Sequence, residues 1–88
     1  LHSIRPNRQT DASVIEFDLA REGQAEVTVD ELRGARVGVV RHGAFPAGRH
    51  NVTWDGRGED GRPLPGGVYF VRLTAGNVHD VRKVVRLE

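Results

Sequence analysis

Cysteine is absent from this chain of 88 residues. That excludes disulfide staples and thiolate metal sites, so hydrophobic burial has to hold the fold. It does not fix the compartment, because a secreted protein can also lack cysteine. Serine occurs only at Ser3 and Ser13, and neither sits on a nucleophile elbow. No apolar run approaches about 18 residues, which leaves no transmembrane helix span. A charged-then-apolar leader is missing too, so the first residue is expected to be a processing boundary and the piece an excised domain. Charge of one sign is not in excess: 13 basic residues face 12 acidic ones, for a net charge of +1. The charges are interspersed along the chain, a solvated mixed surface without the one-sided basic field of a nucleic-acid or anionic-membrane binder. The expected partners are therefore proteins, with no nucleic acid, no membrane insertion, no small-molecule substrate and no cofactor.

What the chain does have is alternation with a period of two. "SVIEFDL" puts Ile15, Phe17 and Leu19 on one face and Glu16 and Asp18 on the other. "AEVTVDEL" repeats the scheme with Ala25, Val27 and Val29 against Glu26, Thr28 and Asp30. "ARVGVVRH" contributes Val37 and Val39, and "HNVTW" contributes Val52 and Trp54. "GVYFVRLTA" is apolar on both sides, Tyr69, Val71 and Leu73 opposed by Val68 and Phe70, as a central strand would be. "VRKVVRLE" closes with Val81, Val85 and Leu87 in phase. No window supports an amphipathic helix of three turns.

Turn residues separate these segments. "REG" before Gln24, "RG" at Arg33-Gly34, "PAG" ending at Gly48 and "GN" at Gly76-Asn77 are all expected to reverse hairpins. Residues 55–67 form the one long connection, too irregular for a strand and too broken for a helix. The spacing predicts an all-β fold, an immunoglobulin-like antiparallel β-sandwich of six to seven short strands. There is no Cys-Trp-Cys signature, so it is not an antibody-like domain. Residues 1–12 read as an entering linker or irregular edge segment, and 13–88 as the sandwich domain, expected to be the C-terminal module of something longer.

Over nearly the whole length these segments resemble a bacterial family. It is the FlgD-like immunoglobulin-like domain of flagellar hook-capping proteins, with the related C-terminal secretion tails of the type IX (sorting) route. "RPNRQTDASVIEFDLAREG" is similar to the family's opening, "FPAGRHNVTWDG" to its Ala-Gly-x-His and Trp-Asp-Gly blocks, "GEDGRPLPGGVYFVRL" to its Gly-Val-Tyr block, and "VRKVVRLE" to its closing strand. The structural motif residues are then Gly48, His50, Trp54, Asp55, Gly56, Gly61, Gly67 and Tyr69. The chain departs from the family at Arg8 and Gln9, at Asp30-Glu31 and at Gly34-Ala35, changes that weaken a sorting-signal role and leave the fold untouched.

Three constellations carry a chemical alternative. Asp55, Glu59 and Asp60 lie among Gly56, Gly58 and Gly61, an oxygen-rich turn of the kind calcium prefers. The spacing is not that of an EF-hand, and Arg57 and Arg62 interrupt it. The favoured expectation is that Asp55 forms an Asx-turn while the glycines take positive φ. His2, His42, His50 and His79 have no paired spacing, so zinc would need tertiary convergence. Lys83, the only lysine, could form a cross-link with Asn51, but is expected to guard an edge strand. "VRKVVRLE" and "SVIEFDL" are the expected edges.

The function these features predict is non-catalytic: a module of a bacterial secreted or cell-envelope protein, at the cell surface or outside it, acting in secretion, attachment or spacing. It would contact the parent polypeptide, secretion or envelope components, or neighbouring subunits. A structural subunit or capping domain of an extracellular appendage is the first alternative. A carbohydrate-binding module is the second, and would need a row of exposed aromatics from only five in all.

Overall fold

A computed structural model describes residues 3–6 and 12–86. Leu1, His2, Leu87 and the stretch holding Asn7, Arg8 and Gln9 lie outside the described residues. Seven strands run in the order β1 (Ser3–Pro6), β2 (Ser13–Leu19), β3 (Gly23–Glu31), β4 (Arg36–Phe45), β5 (Gly48–Trp54), β6 (Gly67–Ala75) and β7 (Val78–Arg86). They form two antiparallel sheets, β1-β2-β5 and β4-β3-β6-β7. This is the immunoglobulin-like sandwich that the alternation predicts. Within the stretch read as an entering linker or irregular edge segment, Ser3–Pro6 is an edge strand, with Ile4 opposite Ile15.

The period of two places the core. Ile15 and Phe17 from the first sheet meet Val27, Val29, Val71 and Leu73 from the second, all at or near zero exposure. Ala25, Phe45, Val52, Trp54 and Tyr69 complete the cluster. Each fully buried aliphatic or Phe side chain here contributes about 1.5–3 kcal/mol relative to leaving it in water.

Three sequence expectations give way. Of the four predicted hairpins only two pair their flanking strands. Arg33-Gly34 joins β3 to β4, and Gly76-Asn77 joins β6 to β7 with Ala75 opposite Val78. "REG" and "PAG" instead carry the chain from one sheet to the other, because β2 and β3, like β4 and β5, belong to different sheets. Turn residues report a reversal without saying whether the next strand pairs or crosses. "SVIEFDL" is not an edge either, since β2 lies between β1 and β5.

The third correction concerns facing. Val39 is 43% exposed, because two register shifts on β3–β4, between Val27 and Thr28 and between Val29 and Asp30, displace β4 from simple alternation. On β7 the residue packed against the core is Val84, opposite Tyr69, while Val81 and Val85 point to solvent. The in-phase apolar set of β7 is its outward one. Val68 and Phe70 likewise lie on the outer face of β6 and are half-buried there.

Candidate functional site

The motif residues gather at two ends of the sandwich. At one end β5 finishes in Trp54, β6 starts at Gly67, and residues 55–66 connect the two sheets. Trp54 is 3% exposed, and its Nε1 donates to the Arg57 carbonyl at 3.2 Å, which ties the core to the loop. Tyr69 packs edge-on against it, ring centroids 6.2 Å apart. The Tyr69 hydroxyl donates to the Pro65 carbonyl at 2.7 Å. A buried tyrosine near the start of such a strand, bonded to backbone just upstream, is the tyrosine corner of immunoglobulin-like folds.

The loop itself holds a repeated element, Asp-Gly-Arg at 55–57 and again at 60–62. In each, the aspartate Oδ1 accepts the arginine backbone N–H at 3.0 Å, and in each the glycine has φ 78°. Arg57 Nη1 donates to the Gly61 carbonyl at 2.8 Å and so links the two turns. Gly58 N–H to Arg62 C=O, Gly61 N–H to Gly58 C=O and Leu64 N–H to Gly56 C=O close the excursion into a small hairpin. Glu59 contributes its backbone, its N–H donating to the Val37 carbonyl of β4 at 2.9 Å.

Of the three acids that resembled metal ligands, two hold the turns through one carboxylate oxygen each, and Glu59 contributes its backbone. Asp55 and Asp60 accept backbone N–H groups, and among the described residues no group of three His, Asp or Glu could hold a metal ion. A depression of about 430 Å³ lies beside the loop, lined by residues that include Val40, Thr53, Asp55, Arg57 and Glu59.

Arg86 closes this end from the far side, and sequence reasoning missed it. Its guanidinium stands over the Trp54 ring at 5.4 Å from the centroid. Gly56 is buried beneath it: a Cβ there would collide with Nη1 and come within 2.7 Å of Cζ. The glycine of Trp-Asp-Gly is favoured by its positive φ, and the Arg86 guanidinium occupies the space a Cβ would take. Nothing local marks Arg86, thirty residues downstream. The repeated Asp-Gly-Arg was a readable signal for the second turn at Asp60.

At the other end β4 crosses to β5 through Pro46 and Ala47. Gly48, φ 114°, starts β5, and His50 Nε2 donates to the Pro46 carbonyl at 2.7 Å. The imidazole stacks into a three-ring cluster, 5.1 Å from Phe45 and 5.5 Å from Phe17, with the two Phe rings 5.5 Å apart. His42 and His79 are exposed on β4 and β7, and His2 lies outside the described residues.

Lys83 and Asn51 are not brought together. Asn51 alternates with buried Val52 on the outer face of the first sheet, opposite Glu16. Lys83 alternates with Val84 on the outer face of the second, opposite Phe70. An amide bond between them would have to cross the core. Four of the five aromatic side chains are buried and Phe70 is half-buried, which leaves no exposed row for a sugar.

The model of the FlgD Ig-like domain family matches residues 2–78, so β7 lies almost entirely beyond the matched span. The basal-body rod modification protein FlgD of Salmonella typhimurium is 38% identical over 50 residues, 57% of this chain and 22% of that protein. Its counterpart in Salmonella typhi matches with the same identity and coverage. Most of each relative therefore lies outside the match.

Proposed function

The chain belongs to the FlgD Ig-like domain family, and on that premise we propose a non-catalytic module that works by protein contact in the export and assembly of an extracellular, flagellar-type structure. The observation that supports this reading is the use the fold makes of its motif residues. Gly48, His50, Trp54, Asp55, Gly56 and Tyr69 hold turns, crossovers and strand ends, and none of them is left over for chemistry. What such a body offers a partner is its rigid outer faces, edges and loops.

In this reading the module is carried toward the C-terminal side of a longer bacterial protein and exported with it, to the cell surface or into an extracellular appendage. Its partners are the parent polypeptide and the neighbouring subunits of that assembly. A sorting role is the finer form of the same reading, in which the domain itself is read by the secretion machinery.

The test uses the parent protein. Removing residues 3–86 is expected to abolish assembly of the appendage or surface display of the parent. Restoring the domain with an unrelated sandwich of equal size should not rescue it. Full assembly without the domain would sink the proposal. A reporter fused to the chain that reaches the surface would add the sorting role.

A further inference from the structure

β7 is held in the sandwich differently from every other long strand. Of the six strands longer than four residues, it alone has no buried residue. Its nine residues, Val78–Arg86, pair in unbroken register with β6. On the inner side the partly buried Val84 packs against the core, beside a crevice of about 220 Å³ bordered by Ile4 and Ser13 of the first sheet. β4, the edge strand on the other side of the same sheet, is fixed more firmly. It buries Phe45, and its Val37 carbonyl accepts the Glu59 N–H of the long loop. A strand that buries so little of its own side chains opens more readily than one rooted in the core.

The two ends of the β6–β7 hairpin are not equivalent. At the closed end the Gly76-Asn77 turn sets Ala75 opposite Val78, and pairs beside a turn close the smallest loop. At the open end Arg86 lies opposite Gly67. There its guanidinium stands over the Trp54 ring, 5.4 Å from the centroid, in the space that Gly56 leaves by having no side chain. This contact ties β7 to β5 of the other sheet, at the end of the ladder where separation from β6 begins.

We propose that β7 is a strap that peels from β6 while the rest of the sandwich stays folded, and that Arg86 over Trp54 is the latch that sets how often it opens. Peeling starts at the Arg86–Gly67 pair and runs toward the Gly76-Asn77 turn. Its first event uncovers the Trp54 ring face, and its full extent turns β6 into an edge strand. The pairings of β1, β2 and β5, and of β4, β3 and β6, persist throughout. The device belongs to the fold and is independent of what the module contacts.

Native-state hydrogen exchange of the 88-residue chain reads the strap directly. Along β6 the amides point alternately to β3 and to β7, so the strand carries two separate sets. The set bonded to β7 is expected to exchange at least about tenfold faster than the set bonded to β3. Within it, exchange should be fastest beside Gly67 and slowest beside Ala75. Arg86→Ala should accelerate the β6–β7 ladder by about two- to thirtyfold, the equivalent of one cation–π contact. Ile15→Val removes a methylene from a contact that stays formed when the strap is open. It should accelerate the slowest amides of β2 and β3 and leave the β6–β7 ladder unchanged.

Four results would each overturn the proposal. They are equal exchange of the two β6 sets, a gradient fastest beside Ala75, a ladder indifferent to Arg86→Ala, or a ladder that follows Ile15→Val as closely as the core does. The last would show that β7 leaves only when the whole domain unfolds. Should Arg86→Ala fail to fold, the gradient in the unaltered chain and the Ile15→Val contrast still decide between strap and global unfolding.

Discussion

The two ends of the sandwich are closed in different ways. At the Trp54 end the aromatic pair is wired into the loop by hydrogen bonds. Trp54 and Tyr69 each donate to a loop carbonyl, two Asx-turns shape the loop, and Arg86 stands over the Trp54 ring. At the His50 end the closure is ring on ring, with Phe17, Phe45 and His50 in mutual contact and one side-chain hydrogen bond, to Pro46. The loops explain the difference. A two-residue crossover at Pro46-Ala47 has few polar groups to satisfy. The twelve residues from 55 to 66 bring many, and each buried N–H or C=O needs a partner.

Breaking the comparison outright requires the largest substitutions. Trp54→Ala removes the ring, its bond to Arg57 and the surface on which Arg86 rests, and is expected to cost about 3–5 kcal/mol. Phe45→Ala at the opposite end leaves no donor unpaired and should fall at the lower end of that range. Urea unfolding followed by circular dichroism measures both. Equal losses would mean that the hydrogen-bonded end gains nothing from its wiring.

A finer contrast lies inside the loop. Gly56 and Gly61 share φ 78°, yet a Cβ at Gly61 would meet nothing within 4 Å while one at Gly56 would strike Arg86. Gly61→Ala should therefore cost only the left-handed backbone penalty, roughly 1–2 kcal/mol. Gly56→Ala should cost more, and the excess should disappear in an Arg86→Ala background. A double-mutant cycle reads that coupling directly, with about 0.5–3 kcal/mol expected for groups in contact. Additive losses would separate Arg86 from Gly56.

Below these comes the single hydrogen bond. Tyr69→Phe keeps the ring beside Trp54 and deletes the donor to Pro65, for a loss of about 0.5–1.5 kcal/mol in the same unfolding experiment. A loss near zero would move the tyrosine corner from cause to ornament.

The core was legible because alternation is a local property: Ile15, Phe17, Val27, Val29, Val71 and Leu73 lie where period two puts them. The turn at Asp55 was legible for the same reason, since an Asx-turn needs only an aspartate and the N–H two residues on. What could not be read was non-local. Whether "PAG" reverses a hairpin or crosses the core depends on which sheet takes β5. The bulges that rotate Val39 outward are set by pairing with β3, and the inward turn of Val84 rather than Val81 and Val85 is set by the register with β6. Arg86 is the extreme case, a residue whose role exists only once β7 lies beside Trp54.

The smallest expected effect tests the acids. Calcium stabilises a fold where several oxygen ligands converge on it, by binding the native state and not the unfolded chain. Asp55 and Asp60 each accept a backbone N–H at 3.0 Å, and Arg57 spans from one turn to the other with its cation donating to Gly61. Recruiting both aspartates would draw on their second oxygens and bring a divalent cation toward that guanidinium. Millimolar calcium should leave the melting temperature where chelator leaves it. Asp55→Asn, which keeps the acceptor and removes the charge, should be tolerated far better than Asp55→Ala, which loses about 1 kcal/mol with the turn. A rise of several degrees with calcium, abolished in Asp55→Asn, would turn the hydrogen-bonded end of the sandwich from a closure into a metal site.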